Sequence, residues 1–388
     1  MTQRAITDAV LLTPEKVFTG HALVLDGSRI HDIVPEEKLS AQIPKLPLPG
    51  TTIAPGFIDL QVNGGGGVLF NDNPSPETIA QIGAVHRKFG TTAFLPTLIS
   101  DTLAKVDAAL SAVARGQAAG IPGLIGLHLE GPFLAPGKKG IHDADHFTSL
   151  SDDTQAKLIT HNVERLLLTL APETVDTETI SALAKSGIRV AAGHTEATYA
   201  QTKAALAAGL SGFTHLFNAM PPMLSRAPGP IPAALESDAW CSIIADGHHV
   251  ADPMLRLVLR AKSDGRIVLV SDAMSTVGSE QTEFNLGGKT IWVEGTRLVD
   301  AEGTLAGAHL TMLGAVRHCV ETLDVPIDQA VRMATAEPAD FLQIADQRGR
   351  LSPGLAADLV VLSDTLAVIG TIVGGNVPSH LNKFGVKS

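Results

Sequence analysis

The sequence predicts an α/β protein, a (β/α)₈ TIM-type barrel carrying a small β-sandwich domain formed by the N- and C-terminal segments. Three observations carry that reading. Short apolar runs alternate with helix-patterned segments through the middle of the chain, both termini alternate apolar and polar positions in brief runs, and His, Asp, Glu and Asn gather at the ends of the middle runs. A chain of 388 residues also exceeds the ~250–300 residues at which a single core stops growing, so a large domain with a smaller companion is expected.

In chain order, residues 1–50 contain Ala9-Val-Leu-Leu and His21-Ala-Leu-Val-Leu, separated by Asp26-Gly and proline-rich stretches. This is the pattern of small antiparallel strands. The C-terminal segment repeats it in Asp358-Leu-Val-Val-Leu and Val368-Ile-Gly-Thr-Ile-Val. Residues 1–50 and 353–388 are therefore expected to pair into the small domain, and 51–352 to form the barrel.

Eight barrel strands are expected at 57–62, 92–96, 124–129, 166–170, 188–192, 213–216, 242–245 and 267–270. Ser75-Pro76 and Asp252-Pro253 read as helix starts, each with a capping side chain before a proline at the first helical position. Gly90 and Gly209 read as stops. Ile79, Ile82, Val85 and Phe89 recur at helical spacing, as do Leu103, Val106, Leu110 and Val113, so these faces should pack on the sheet. No glycine fingerprint for a dinucleotide follows the first strand, which favours a barrel of ~250 residues over a doubly wound sheet. Residues 284–305 break the alternation and read as an inserted hairpin.

Composition removes several classes of function. A formal net charge of −11 argues against a nucleic-acid partner, which calls for a basic patch. Cys241 and Cys319 are the only cysteines, too few for a disulfide scaffold, and read as buried small apolar residues in a reduced compartment. The first residues lack the basic-then-apolar order of a secretory signal, and the apolar run 366–373 is far short of the ~20 residues that span a bilayer. A cytoplasmic protein with no membrane partner is expected.

In this fold, chemistry sits just past the C-terminal ends of the strands. There the sequence places Gln61-Val-Asn63, His128-Leu-Glu130, Gly193-His194, His215-Leu-Phe-Asn218, Asp246-Gly-His248-His249 and Ser271-Asp272. One Glu and two His on three strands around one mouth, Glu130, His194 and His215, form a set suited to Zn²⁺ with a coordination position left for water. Such an ion lowers the pKa of water from ~15.7 towards ~7 and polarises a carbonyl. Asp272 is then the general base and acid, taking a proton from water and passing it to a leaving nitrogen. A hydrolase follows.

Taken together, Pro55-Gly-Phe-Ile-Asp-Leu-Gln61-Val-Asn63-Gly-Gly, His128-Leu-Glu130-Gly-Pro-Phe, Gly193-His194-Thr, His215-Leu-Phe-Asn218-Ala-Met-Pro-Pro, Ala245-Asp246-Gly-His248-His249-Val and Ser271-Asp272-Ala resemble the N-acetylglucosamine-6-phosphate deacetylase family of the amidohydrolase superfamily. The resemblance covers nearly the whole chain, and Pro353-Gly-Leu-Ala-Ala-Asp358-Leu-Val-Val resembles the superfamily's return strand. It implies hydrolysis of N-acetylglucosamine 6-phosphate to glucosamine 6-phosphate and acetate. By matching motif, Glu130, His194 and His215 are the metal ligands, Asp272 is the acid/base, and His142 hydrogen-bonds the substrate carbonyl. The same resemblance gives the phosphate to Asn218, the backbone of Ala219, Arg226, and His249 reaching in from the neighbouring subunit of a homodimer.

Many members of the superfamily open with His-x-His and bridge two metals with a carboxylated lysine. Here Gln61 and Asn63 stand in place of the histidines, and strand four ends in Leu170-Ala-Pro-Glu173 without a lysine. One metal per subunit is expected, with Gln61 and Asn63 hydrogen-bonding near the mouth and His128 one layer deeper in a structural role. The ligand types also admit Fe²⁺, Co²⁺ or Mn²⁺. Two alternatives stand beside this reading: the same hydrolysis on N-acetylgalactosamine 6-phosphate or another N-acyl substrate, and a non-catalytic sugar-phosphate-binding regulator.

Overall fold

In the computed structural model, residues 3–13, 16–262 and 265–384 are described. Eight parallel strands run in sequence order around one sheet: Phe57–Val62, Thr91–Ile99, Leu127–Glu130, Leu166–Leu170, Arg189–Ala192, Gly212–Phe213, Trp240–Ile243 and Ile267–Leu269. A parallel bridge between Val62 and Ala273 joins the last strand to the first. The Asn63 N–H, donating to the Ala273 carbonyl at 2.9 Å, reinforces that closure. All eight expected strands are present, two with the expected ends and six with shifted ones. The sixth is cut to two residues because His215, just beyond it, turns into the left-handed region at φ 31°.

The helices start as the side chains dictate. Ser75 caps the helix Pro76–Arg87, its hydroxyl accepting from the Thr78 N–H at 3.2 Å, with Pro76 at the first position. At the helix Asp252–Ala261 the expectation is corrected: Ala251 holds the cap position, and Asp252 is already helical. Its carboxylate instead accepts from His318 Nε2 at 2.8 Å, tying this helix to Met312–Glu321. Gly209 ends Tyr199–Ala208 at φ 115°, which only glycine adopts cheaply. Val106, Leu110 and Val113 are buried as their spacing requires, whereas Leu103, in the first turn of its helix, is exposed.

The two ends of the chain meet. Val361 in Leu359–Ser363 pairs antiparallel with Ile53 in Thr51–Pro55, within a five-stranded sheet that also holds Val10–Leu12. A four-stranded sheet of Arg29–Pro35, His21–Asp26, Gln3–Thr7 and Lys45–Pro47 is the other layer. Ile6, Leu23, Leu25 and Ile53 from one end pack with Leu359, Val361 and Ile372 from the other. Each fully buried side chain of this size contributes roughly 1.5–3 kcal/mol.

The break after strand eight is larger than the expected hairpin. It is a four-stranded antiparallel meander, Glu283–Leu286, Lys289–Glu294, Arg297–Val299 and Leu305–Ala308. A bridge from Ala308 to Ala273 sets it at the barrel mouth. Cys241 and Cys319 are free and buried, and burial pushes both thiols up to about 12. Among the described residues, no helix is long and apolar enough to cross a membrane.

Candidate active site

Glu130 closes the third strand, and His194 and His215 follow the fifth and sixth. Glu130 Oε1 lies 3.1 Å from His194 Nε2 and 2.8 Å from His215 Nε2, and the two ring nitrogens are 3.1 Å apart. All three side chains are buried. Among the described residues this is the one group of three or more His, Cys, Asp or Glu side chains whose ligand atoms lie within 4.8 Å of one another.

The donor chemistry fits a cation. The Lys138 carbonyl lies 2.8 Å from His194 Nδ1 and can only accept, so in the neutral ring Nδ1 carries the hydrogen and Nε2 presents its lone pair. That lone pair faces a carboxylate oxygen and a second imidazole nitrogen, an arrangement a divalent metal satisfies. Burial alone would raise the Glu130 carboxyl, but the His194 and His215 contacts hold it well below its ordinary value.

Asp272 follows the eighth strand and is buried. Its Oδ1 accepts from Asn63 Nδ2 at 2.7 Å and from Gln61 Nε2 at 3.1 Å, and the Gln61 amide also donates to Glu130 Oε2 at 3.0 Å. The Gln61 amide therefore joins the acid to the ligand carboxylate. Burial, and next the Glu130 charge, raise the Asp272 carboxyl above its ordinary value. His194, His215 and Asp272 all sit at positive φ, 47°, 31° and 50°, a conformation that costs a non-glycine residue ~1–3 kcal/mol and gathers at functional sites.

His142 is buried rather than a solvated loop residue. The Ser100 N–H points at its Nδ1 from 3.4 Å and the Ser100 hydroxyl lies 2.8 Å away. With Nδ1 accepting, the hydrogen resides on Nε2, which lies 4.0 Å from Glu130 Oε1. Burial and the neighbouring His194 keep this ring neutral, its pKa well below the ordinary value. A donor therefore faces the ligand cluster.

A cavity of about 490 Å³ opens over these groups, and Asn63, Asn218, Ala219 and His249 also line it. Asn218 Nδ2 donates to the His215 carbonyl at 3.2 Å, and Ala219 sits at φ 51°. His249 lines the cavity of its own chain. Asp246 clamps it there, accepting from the His249 N–H at 2.9 Å and contacting Nδ1 at 2.7 Å. Arg226 is not brought into the cavity; it stands on an exposed loop. His128 lies deeper, with Nε2 2.8 Å from the Thr169 hydroxyl, and burial lowers its pKa to about 4.

Residues 52–377 match the amidohydrolase family, and residues 5–53 the NagA composite domain. The chain belongs to the amidohydrolase family. An N-acetylgalactosamine-6-phosphate deacetylase from Shewanella sp. strain ANA-3 is 41% identical to this amidohydrolase over 339 residues, covering 87% of this chain and 86% of its own. An N-acetylglucosamine-6-phosphate deacetylase from Haemophilus influenzae is 34% identical over 374 residues, covering 96% and 98%. The solved structure of N-acetylglucosamine-6-phosphate deacetylase from Pasteurella multocida superposes with a TM-score of 0.94 at 34% identity, covering 97% of this chain and all of the other.

Sequence reasoning missed several groups that shape the site of this amidohydrolase. Ser100 and the Lys138 carbonyl each orient an expected histidine from a loop outside the expected strand ends, and Asp246, though at an expected strand end, was given no role beside His249. Gly303, Thr304 and Leu305 of the inserted meander also line the cavity. Their turn is built on Asp300, whose carboxylate accepts from the Thr304 N–H at 2.8 Å, the Glu302 N–H at 3.1 Å and Lys289 Nζ at 2.7 Å. The Asp-x-x-x-Thr spacing after a strand was the available signal.

Proposed function

We propose that this amidohydrolase removes the acetyl group of N-acetylglucosamine 6-phosphate, giving glucosamine 6-phosphate and acetate. The observation that carries the reading is the convergence of Glu130, His194 and His215 beside a buried Asp272 whose Oδ1 is already occupied by two amides. The printed names of its relatives supply the substrate class.

Glu130, His194 and His215 would hold a divalent metal, which would supply activation of a water molecule and polarisation of the amide carbonyl. Gln61 and Asn63 fix Asp272 through Oδ1, leaving Oδ2 to take the water proton and later deliver it to the sugar nitrogen. His142 donates from Nε2 to the substrate carbonyl oxygen, where negative charge builds as the tetrahedral centre forms. One water proton rides on Asp272 to the sugar nitrogen, and the other leaves the new carboxyl group to give the ammonium form of the amine, so acetate and ammonium account for every atom.

Zn²⁺ is the proposed ion, since one carboxylate and two imidazoles suit it, and metal analysis of the purified protein separates it from Fe²⁺, Co²⁺ and Mn²⁺. Asn218, Ala219 and His249 are proposed to meet the sugar phosphate. Arg226 is proposed as a forked phosphate donor from the exposed loop that continues past Asn218 and Ala219. The protein is proposed to act in the cytoplasm as a homodimer, a reading supported by its buried free thiols and by Leu224, 58% exposed beside Arg226. The cluster of apolar side chains from both chain ends supports a small domain built from residues near 1–50 and 353–388 around the barrel, with Thr51–Pro55 pairing in the small domain's sheet rather than in the barrel.

The second reading, N-acetylgalactosamine 6-phosphate, is favoured by the name of the 41% identical relative. Comparing kcat/KM for the two phosphorylated epimers, with unphosphorylated N-acetylglucosamine as control, tests both. Preference for the galactosamine epimer would replace the first reading, and no advantage from the phosphate would remove Arg226 from it.

A further inference from the structure

We infer that Glu173 is a positioning residue that sets the backbone at His194 and thereby the metal affinity of the site. This rests on the reading of His194 as a metal ligand. Glu173 lies outside the ligand group itself, so its effect must pass through what it holds.

The turn after the fourth strand is anchored first. The Ala171 N–H and the Thr174 hydroxyl both donate to the Phe133 carbonyl, at 2.9 and 3.2 Å, just beyond the Glu130-Gly-Pro run. From that base the Glu173 carboxylate reaches the two residues that directly follow His194. Its Oε2 accepts from the Thr195 hydroxyl at 2.5 Å and its Oε1 from the Glu196 N–H.

Those two residues govern several others. The fully buried Thr195 hydroxyl also accepts from the Ala197 N–H at 2.9 Å, and the Thr195 N–H donates to the Ala219 carbonyl at 3.2 Å. The His194 carbonyl accepts from the Ala135 N–H at 3.0 Å. The Glu196 carboxylate lies against Gly137, where an added Cβ would meet it at 2.5 Å, and the next carbonyl, Lys138, fixes the His194 ring. One carboxylate thus joins the fourth strand, the strained turn at His194, the 135–138 loop and Ala219. Without it, two donors lose their acceptor and the left-handed turn at φ 47° loses its hold.

The test is a titration of chelator-stripped protein with Zn²⁺ against a fluorescent competing chelator, run beside kcat and KM, with folding checked by circular dichroism. Wild-type protein should bind one ion per chain. Glu173→Ala should bind Zn²⁺ about 10–100-fold more weakly and lose kcat more than it changes KM. Glu173→Gln keeps an acceptor for the Glu196 N–H and should fall between the two. If Glu173→Ala fails to fold, Thr195→Val, which keeps the side-chain shape, should weaken Zn²⁺ binding in the same direction. Unchanged affinity in a folded Glu173→Ala, or in Thr195→Val where the first does not fold, overturns the inference. Wild-type protein that binds no Zn²⁺ would instead overturn the ligand reading beneath it.

Discussion

In the proposed reaction a single carboxylate, Asp272, carries the proton, and its surroundings show how residues divide the work. Two amides occupy Oδ1, so the oxygen and its orientation are set before substrate arrives. Asp272→Asn should retain metal and substrate binding but lose about 10²–10⁴-fold in kcat, measured by acetate release. Ser100→Ala removes the hydroxyl 2.8 Å from His142 Nδ1, leaving only a long N–H contact to fix the tautomer. A fall in kcat of about tenfold with little change in metal content is expected; an unchanged kcat would show that Ser100 does not orient the ring.

Glu130, His194, His215 and Asp272 were legible in the sequence because a strand end in a barrel has one destination, the mouth. Ser100 and Glu173 were not legible as parts of the site. Each acts on a residue of another loop, and which loops touch is decided by the closure of the barrel and the register of its strands. Arg226 shows the converse: a motif match named it, and the fold leaves it in solvent outside the cavity of its own chain.

At the scale of elements, the periodic signals did well where one face is buried and poorly at ends. Val106, Leu110 and Val113 pack as their spacing demands, while Leu103 belongs to the same pattern but falls in a first turn and is left exposed. The inserted meander was read as a hairpin, its last two strands being only three and four residues long, yet it supplies part of the cavity wall. That wall depends on Asp300, which is almost wholly buried in its turn. Asp300→Ala should raise KM several-fold while leaving Zn²⁺ content unchanged, since the turn lines the cavity but holds no ligand; equal KM values would show that it does not contact substrate.

Across the whole molecule, the joint between first and last strands holds another buried acid. Asp59 Oδ1 accepts from the Gln61 and Ser271 N–H groups, both at 3.2 Å, and Oδ2 lies 2.5 Å from the Ser271 hydroxyl. Burial raises its pKa from 3.8 to about 7, the Ser271 bonds only partly opposing it. The folded state therefore keeps a proton that the unfolded chain releases. Stability should fall by on the order of a few kcal/mol as pH rises from about 4 to about 7, and this contribution should be flat beyond. Urea midpoints of chelator-stripped protein across that range should slope more steeply for wild type than for Asp59→Asn, and parallel slopes would show that Asp59 is ionised throughout.

The claim on which the rest depends is that one metal, held by Glu130, His194 and His215, drives hydrolysis of the amide. It is tested most directly by adding Zn²⁺ stepwise to chelator-stripped protein while following acetate released from N-acetylglucosamine 6-phosphate. Activity should be absent at the start, rise in proportion to added ion and level off at one ion per chain; full activity before any metal is added, or a plateau at two ions, would contradict it.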